Sequence, residues 1–176
     1  MLDYIKHVMG LPVTRLGLRC LFLTLVVLIV DQASKAWVLN GLHFAYEGDH
    51  VTILPFFSLT FVHNTGMSFG LLGHTWFGRW LLTLFQLAAA SALIYGTTKA
   101  EAPLVAIALA GIAGGALGNA IDRIRFGWVV DFLDFSGTHV FPWVFNVADS
   151  AICVGVGLLL WHFVLAERKA RGSTDG

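Results

Sequence analysis

The sequence predicts an α-helical integral membrane protein: four transmembrane helices with a small β element facing outward. Three observations predict it. Of the 176 residues, 57% are hydrophobic and 12% charged, with a mean hydropathy of +0.76, which is more apolar surface than a soluble core of this size can hide. Four apolar stretches, 20–39, 76–95, 104–121 and 147–163, approach or reach the roughly 20 residues a helix needs to cross a bilayer core. The stretch VTILPFFSLTFV (51–62) is rich in β-branched and aromatic residues, with Phe57, Leu59 and Phe61 alternating, which is a strand signature.

Taken in order, Arg15 and Arg19 precede the first helix and give it the look of a cleaved signal sequence. The charged patch DQASK (31–35), however, lies where a small-residue cleavage site belongs, so the helix is expected to be retained. The segment 41–75 is too long for a simple connection. Its β element is bounded by turn residues at Gly48-Asp49 and Asn64-Thr65-Gly66, and its aromatics suit the headgroup level. In the third helix Gly111 and Gly115, and Gly114 and Gly118, stand four apart, a spacing that lets another helix approach closely. Residues 122–146 form a second outer segment broken by Gly127, Gly137 and Pro142, and the fourth helix follows. Residues 1–176 read as a single membrane domain without an internal repeat.

Orientation follows from Lys and Arg. Lys6, Arg15 and Arg19 precede the first helix, Lys99 lies between the second and third, and Arg168, Lys169 and Arg171 follow the fourth, whereas 41–75 has none. The positive-inside rule then puts both termini in the cytoplasm. Arg123 and Arg125 break that rule beside several acids, which suggests a site. Zero formal net charge and the lack of a long basic run argue against a nucleic-acid partner. Cys20 and Cys153 both fall in apolar stretches and read as packing or lipid-facing residues.

Ionisable groups at membrane depth are costly and usually mark a working site. Asn119, Asp122 and Arg123 share one face at the end of the third helix, and Asn146 and Asp149 share one at the start of the fourth. Asp131 comes from the segment between them. Two carboxylates in a poorly solvated pocket share a proton, so that one activates water while the other donates to a carbonyl. That is the chemistry of an intramembrane aspartic peptidase. No His-Glu-x-x-His pattern or Gly-x-Ser-x-Gly elbow offers another route, neither cysteine has a partner histidine at plausible depth, and His63 and His139 lack ligand spacing and read as exposed loop residues.

Each acid also has a plainer role open to it. Asp149 could only cap the fourth helix; Asp122 could bridge to Arg123 or Arg125; Asp31 and Lys35, four apart, could neutralise each other; Asp134 reads as an exposed loop charge. A proton-coupled transporter is the competing class, weakened by the gathering of the acids at one face. A non-catalytic assembly subunit would leave the Asn, Asp and Arg clusters without a purpose.

Asp31-Gln32 with Ser34-Lys35, Asn64-Thr65-Gly66, GGALGNAIDR (114–123), Val129-Val130-Asp131-Phe132 and Phe145-Asn146-Val147-Ala148-Asp149-Ser150 together resemble the bacterial lipoprotein signal peptidases, or signal peptidase II. The resemblance covers about 30–160 in order and spacing. It implies four transmembrane helices with an outward β-cradle and a short outer helix, in the bacterial inner membrane. It implies an aspartic endopeptidase that removes the signal peptide from prolipoproteins, cutting before a cysteine that carries diacylglycerol. The dyad would be Asp131 and Asp149; Asn64, Gly115, Asn119, Arg123 and Asn146 would line the substrate site, with Asp31, Asp122 and Lys35 in support. No metal or organic cofactor is expected, the partners being prolipoprotein and membrane lipid, and the protein a monomer. Met67-Ser68 stand where the family often has two small residues, so substrate preference is the property they put in question.

Overall fold

The structure, a computed structural model, describes residues 13–66 and 75–172; Lys6 and Met67-Ser68 lie outside them. Helix α1 spans Arg15–Ala36, with the Thr14 hydroxyl accepting from the Gly17 amide at its start, and runs on as a π-helical turn, Trp37–Gly41. Strands β1 (His50–Leu54) and β2 (Phe57–Asn64) follow. Helices α2 (Trp76–Lys99) and α3 (Pro103–Arg125) lead to strand β3 (Val129–Asp134), a 3-10 turn at Ser136–Thr138, strand β4 (Val144–Phe145) and helix α4 (Val147–Gly172). All four helices are long and apolar enough to cross a membrane. Each reaches past its apolar stretch at one end or both, because capped polar turns such as the one at Thr97–Lys99 continue the backbone ladder beyond the hydrophobic run.

Helix α3 is the centre of the bundle: 56% of its most apolar window is buried, against 11 to 22% for the other three. Its composition explains this. Alanines 106, 108, 110, 113, 116 and 120 and glycines 111, 114, 115 and 118 are all buried or nearly so, and without bulky side chains the neighbouring backbones come close. A methyl group on Gly114 would lie 2.7 Å from the Thr24 carbonyl oxygen of α1, and one on Gly115 would strike the Ala148 carbonyl of α4 and lie 2.9 Å from Ile152. Gly115→Ala is therefore expected to push α3 from α4 and cost about 1–3 kcal/mol, read as a fall in thermal midpoint in detergent. Gly157→Ala, at an exposed glycine of α4 with nothing within 4 Å of the added carbon, is the control and should not destabilise.

The strands form one antiparallel sheet in the order β1-β2-β3-β4 at the end of the bundle where α1 and α3 finish and α2 and α4 begin. The segment 122–146, a second outer segment by its sequence, supplies β3 and β4. Its four residues Val129–Phe132 are buried on both faces, so they show no polar alternation that would betray a strand in the sequence. Val38, Phe44, Phe61, Val130 and Phe132 pack together beneath the sheet and fasten it to the end of α1. Val62 stands opposite Asp131, Asn64 opposite Val129 and Leu133 opposite Phe145.

Candidate active site

Asp131, third residue of β3, is 1% exposed. Its two oxygens accept from the side-chain amides of Asn146 at 2.6 Å and Asn64 at 2.8 Å. Asn64 is held in turn, because its own oxygen accepts from the Gly66 amide at 2.8 Å, in a turn whose positive φ of 86° suits glycine. Burial pushes the Asp131 carboxyl up to about 7, the negative charge of Asp149 adds to that, and the two asparagine hydrogen bonds oppose it.

Asp149 enters from the first turn of α4. The Asn146 side-chain oxygen accepts from the Asp149 amide at 2.9 Å, and Asp149 Oδ2 accepts back from the Asn146 amide at 3.4 Å, a reciprocal capping arrangement. Its other oxygen accepts from the Asn119 side-chain amide of α3 at 2.8 Å. Capping thus occupies only one of the two Asp149 oxygens, and the other faces Asn119. Asn146 is the hinge of the group: it caps α4, donates to Asp131 and donates to Asn119 Oδ1 at 3.2 Å.

A second, deeper set lies behind these acids. Lys35 Nζ contacts Asp31 Oδ2 at 2.9 Å and Asp122 Oδ2 at 2.8 Å, and donates to Asn119 Oδ1 at 3.0 Å. Asp31, Lys35 and Asp122 are at most 3% exposed. Asp31 also accepts from the Ala148 amide at 2.9 Å, and Asp122 from Gln32 Nε2 at 2.9 Å and from the Val130 amide at 3.1 Å. One buried lysine thereby ties α1 to α3, while the two acids fasten the start of α4 and β3. Asp122 does form a buried bridge, but among the described residues its cation is Lys35 and not Arg123 or Arg125. Asp122 meets Lys35 of the facing helix α1 at 2.8 Å, whereas Arg123 is held by Gln86 of α2.

Arg123, 7% exposed, donates from Nη1 to Gln86 Oε1 at 3.0 Å and lies within electrostatic reach of Asp149, Asp131 and Asp122. Its buried Nε has no hydrogen-bond partner among the described residues, the kind of orphan donor that asks for an explanation. Asp31, Asp122, Asp131 and Asp149 thus gather at this end of the bundle around the buried cations Lys35 and Arg123. Gly115 lies a turn below Asn119 and lets α4 approach.

Two contributors were not picked out from the sequence. Arg79 of α2 donates to the Arg123 and Ile124 carbonyls at 2.8 Å each, closing the end of α3, and Gln86 holds Arg123. Their signal was the spacing of polar residues 79, 83 and 86 on one face of an otherwise apolar helix. Two minor readings need correction. His63 is half-buried on β2, its ring 4.0 Å from Trp128 and 4.7 Å from Phe61 between centroids, because the β2 register turns it onto Trp128. Asp134 ends β3 and accepts from the Thr60 hydroxyl at 2.7 Å, which a free loop charge would not do.

Comparison with known proteins agrees with this architecture. A family model described as Signal peptidase (SPase) II matches residues 23–165. The lipoprotein signal peptidase of Caulobacter vibrioides is 46% identical over 161 residues, 91% of this chain and 95% of that one. That of Symbiobacterium thermophilum is 43% identical over 150 residues, 84% of this chain and 95% of its own. A solved bacterial membrane enzyme, determined by the in meso method at 2.3 Å resolution, superposes with a TM-score of 0.71 at 27% identity, over 83% of this chain and 87% of that one. With four apolar helices carrying the matched segment and the sheet placed as described, the chain belongs to the signal peptidase II family.

Proposed function

We propose that this protein is an aspartic endopeptidase that removes the signal peptide from prolipoproteins, cutting before a cysteine already modified with diacylglycerol. The observation that carries the reading is the joining of Asp131, from a strand, with Asp149, from a helix, through the two amides of Asn146 and Asn119. Asp131 is protonated for much of the time near neutral pH because its carboxyl is pushed up to about 7, whereas Asp149 is only half-buried.

The chemistry balances without further groups. Ionised Asp149 takes a proton from water as the water oxygen attacks the carbonyl carbon before the cysteine. Protonated Asp131 donates to the carbonyl oxygen, giving a neutral tetrahedral diol. Collapse breaks the C–N bond, the amine of the lipidated cysteine leaves with a proton from Asp149, and Asp131 recovers its own. Asn64, Asn119 and Asn146 hold the two carboxyls in register throughout, and the Arg123 charge steadies the developing negative charge. The signal peptide's apolar run enters sideways from the bilayer between exposed apolar helix faces, and the diacylglyceryl chains stay in lipid. The sheet end faces outward from a bacterial inner membrane, with both termini cytoplasmic and the protein a monomer. No metal or organic cofactor takes part.

The test is a gel-shift cleavage assay on purified protein in detergent, with a diacylglyceryl-modified prolipoprotein, its unmodified form and the Asp149→Asn variant. Cleavage of the modified form alone, lost in the variant, is the expected result. A folded wild type that leaves every substrate intact would sink the reading and direct attention to proteoliposome flux.

A further inference from the structure

A cavity of about 780 Å³ opens beside Asp131, between the segment that precedes β1 and the segment that precedes β4. Its wall includes Glu47, His63, Asn64, Trp128, Asp131 and Trp143. The volume falls within the roughly 300–1,000 Å³ of typical ligand pockets. We propose that it binds the polypeptide just after the lipidated cysteine and that Glu47 sets its charge preference, favouring a basic side chain there over an acidic one. The proposal rests on the cleavage reaction above.

Asp131 forms part of the wall, so a chain lying across the two acids has one flank in this cavity. Which flank it is follows from the surroundings. The signal peptide's apolar run belongs beside lipid-facing helix surfaces, whereas this cavity is bounded by sheet-end segments and carries Glu47, His63, Asn64 and Thr65. Polar walls beyond the apolar windows of the helices suit the part of the substrate that has left the bilayer. Trp128 and Trp143 supply flat apolar surface for an extended backbone, as aromatic walls do in peptide grooves.

Residues 41–75 contain no Lys or Arg, and among the described residues no Lys or Arg lines the cavity. Glu47 is 61% exposed at its lip, and its nearest counter-charge is His63 Nδ1 at 3.6 Å, a group charged only if protonated. The cavity therefore presents negative charge, from Glu47 at the mouth, to a passing side chain. At separations of about 5–6 Å and an effective dielectric constant between those of surface sites and water, one charge is worth about threefold to tenfold in rate or binding.

The experiment uses two diacylglyceryl-modified prolipoproteins identical except for Lys or Glu directly after the modified cysteine, cleaved by the full-length protein in detergent. The expected result is a kcat/KM ratio of about 10–100 in favour of Lys, since attraction of Lys and repulsion of Glu multiply, falling towards unity in Glu47→Gln and inverting in Glu47→Lys. Raised salt should compress the ratio in every case. Equal cleavage of both substrates by wild type and Glu47→Lys would overturn the subsite while leaving the peptidase reading intact. Failure to cleave either substrate would overturn both. Glu47 is exposed and touches no part of the acid cluster, so its variants should fold.

Discussion

Cleavage of a lipidated prolipoprotein is expected to fall as the pH rises through about 7, and to disappear in Asp131→Asn. The Asp131 carboxyl is pushed up to about 7, chiefly by burial and further by the charge of Asp149. Below that point the pair holds one proton and can both donate and accept. Above it Asp131 has lost its proton, nothing donates to the scissile carbonyl, and the rate should decline towards about tenfold per pH unit. The sign is that of a raised carboxyl: the working form is the protonated one, lost with increasing pH. A wild-type rate that is level from pH 6 to pH 9 would show that this proton plays no part in turnover. Asp131→Asn removes it altogether and should lower kcat by about 10³ or more, since general acid–base groups alone contribute roughly 10²–10⁴. The amide is close in shape, and only one of the hydrogen bonds from Asn64 and Asn146 must be given up, a cost of about 1–2 kcal/mol. Helical content and thermal midpoint should therefore change little, which separates lost chemistry from lost structure.

Lys35→Met should be the most destabilising single change in the bundle. The ammonium group lies 2.9 Å and 2.8 Å from two carboxylates that are essentially inaccessible to water. Removing one partner of a buried pair leaves uncompensated charge and typically costs about 3–5 kcal/mol; here two acids lose their cation at once. A fall in midpoint on the order of 10 °C in detergent is expected. Lys35→Met/Asp122→Asn, which returns the group to its original net charge, should recover a good part of it. Activity need not return with stability. Lys35 also donates to Asn119 Oδ1, and that bond fixes the amide so that its nitrogen meets Asp149. If the double variant unfolds no later than the single one, the destabilisation comes from lost packing of the lysine stem and not from charge.

The outer pair of acids and the deeper lysine bridge differ in how far the sequence reveals them. The spacing of Asn119, Asp122 and Arg123 along α3 makes one helical face polar, and the spacing of Asn146 and Asp149 does the same for α4. Those are statements about neighbours in the chain, which helical geometry decides locally. The partners across helices were different. Proximity in the sequence offers Asp122 the cations Arg123 and Arg125, yet its partner is Lys35 of α1, 87 positions away along the chain. Gln86 and Arg79 went unnoticed for the same reason, their carbonyl and guanidinium partners lying on another helix.

The sequence by itself determined the membrane class, the four spans and the approximate β element, because hydropathy and period are written into each segment without reference to the rest of the chain. It also marked the acids, since charge in an apolar run stands out before any folding is known. The tertiary structure decided that β3 is a strand buried on both faces, that a single lysine serves two acids, and that Asn119 and Asn146 join Asp131 to Asp149. The physical reason is that hydrogen bonds and ion pairs act over about 3 Å, and which groups come that close across helices depends on how the small residues of α3 let its neighbours settle against it.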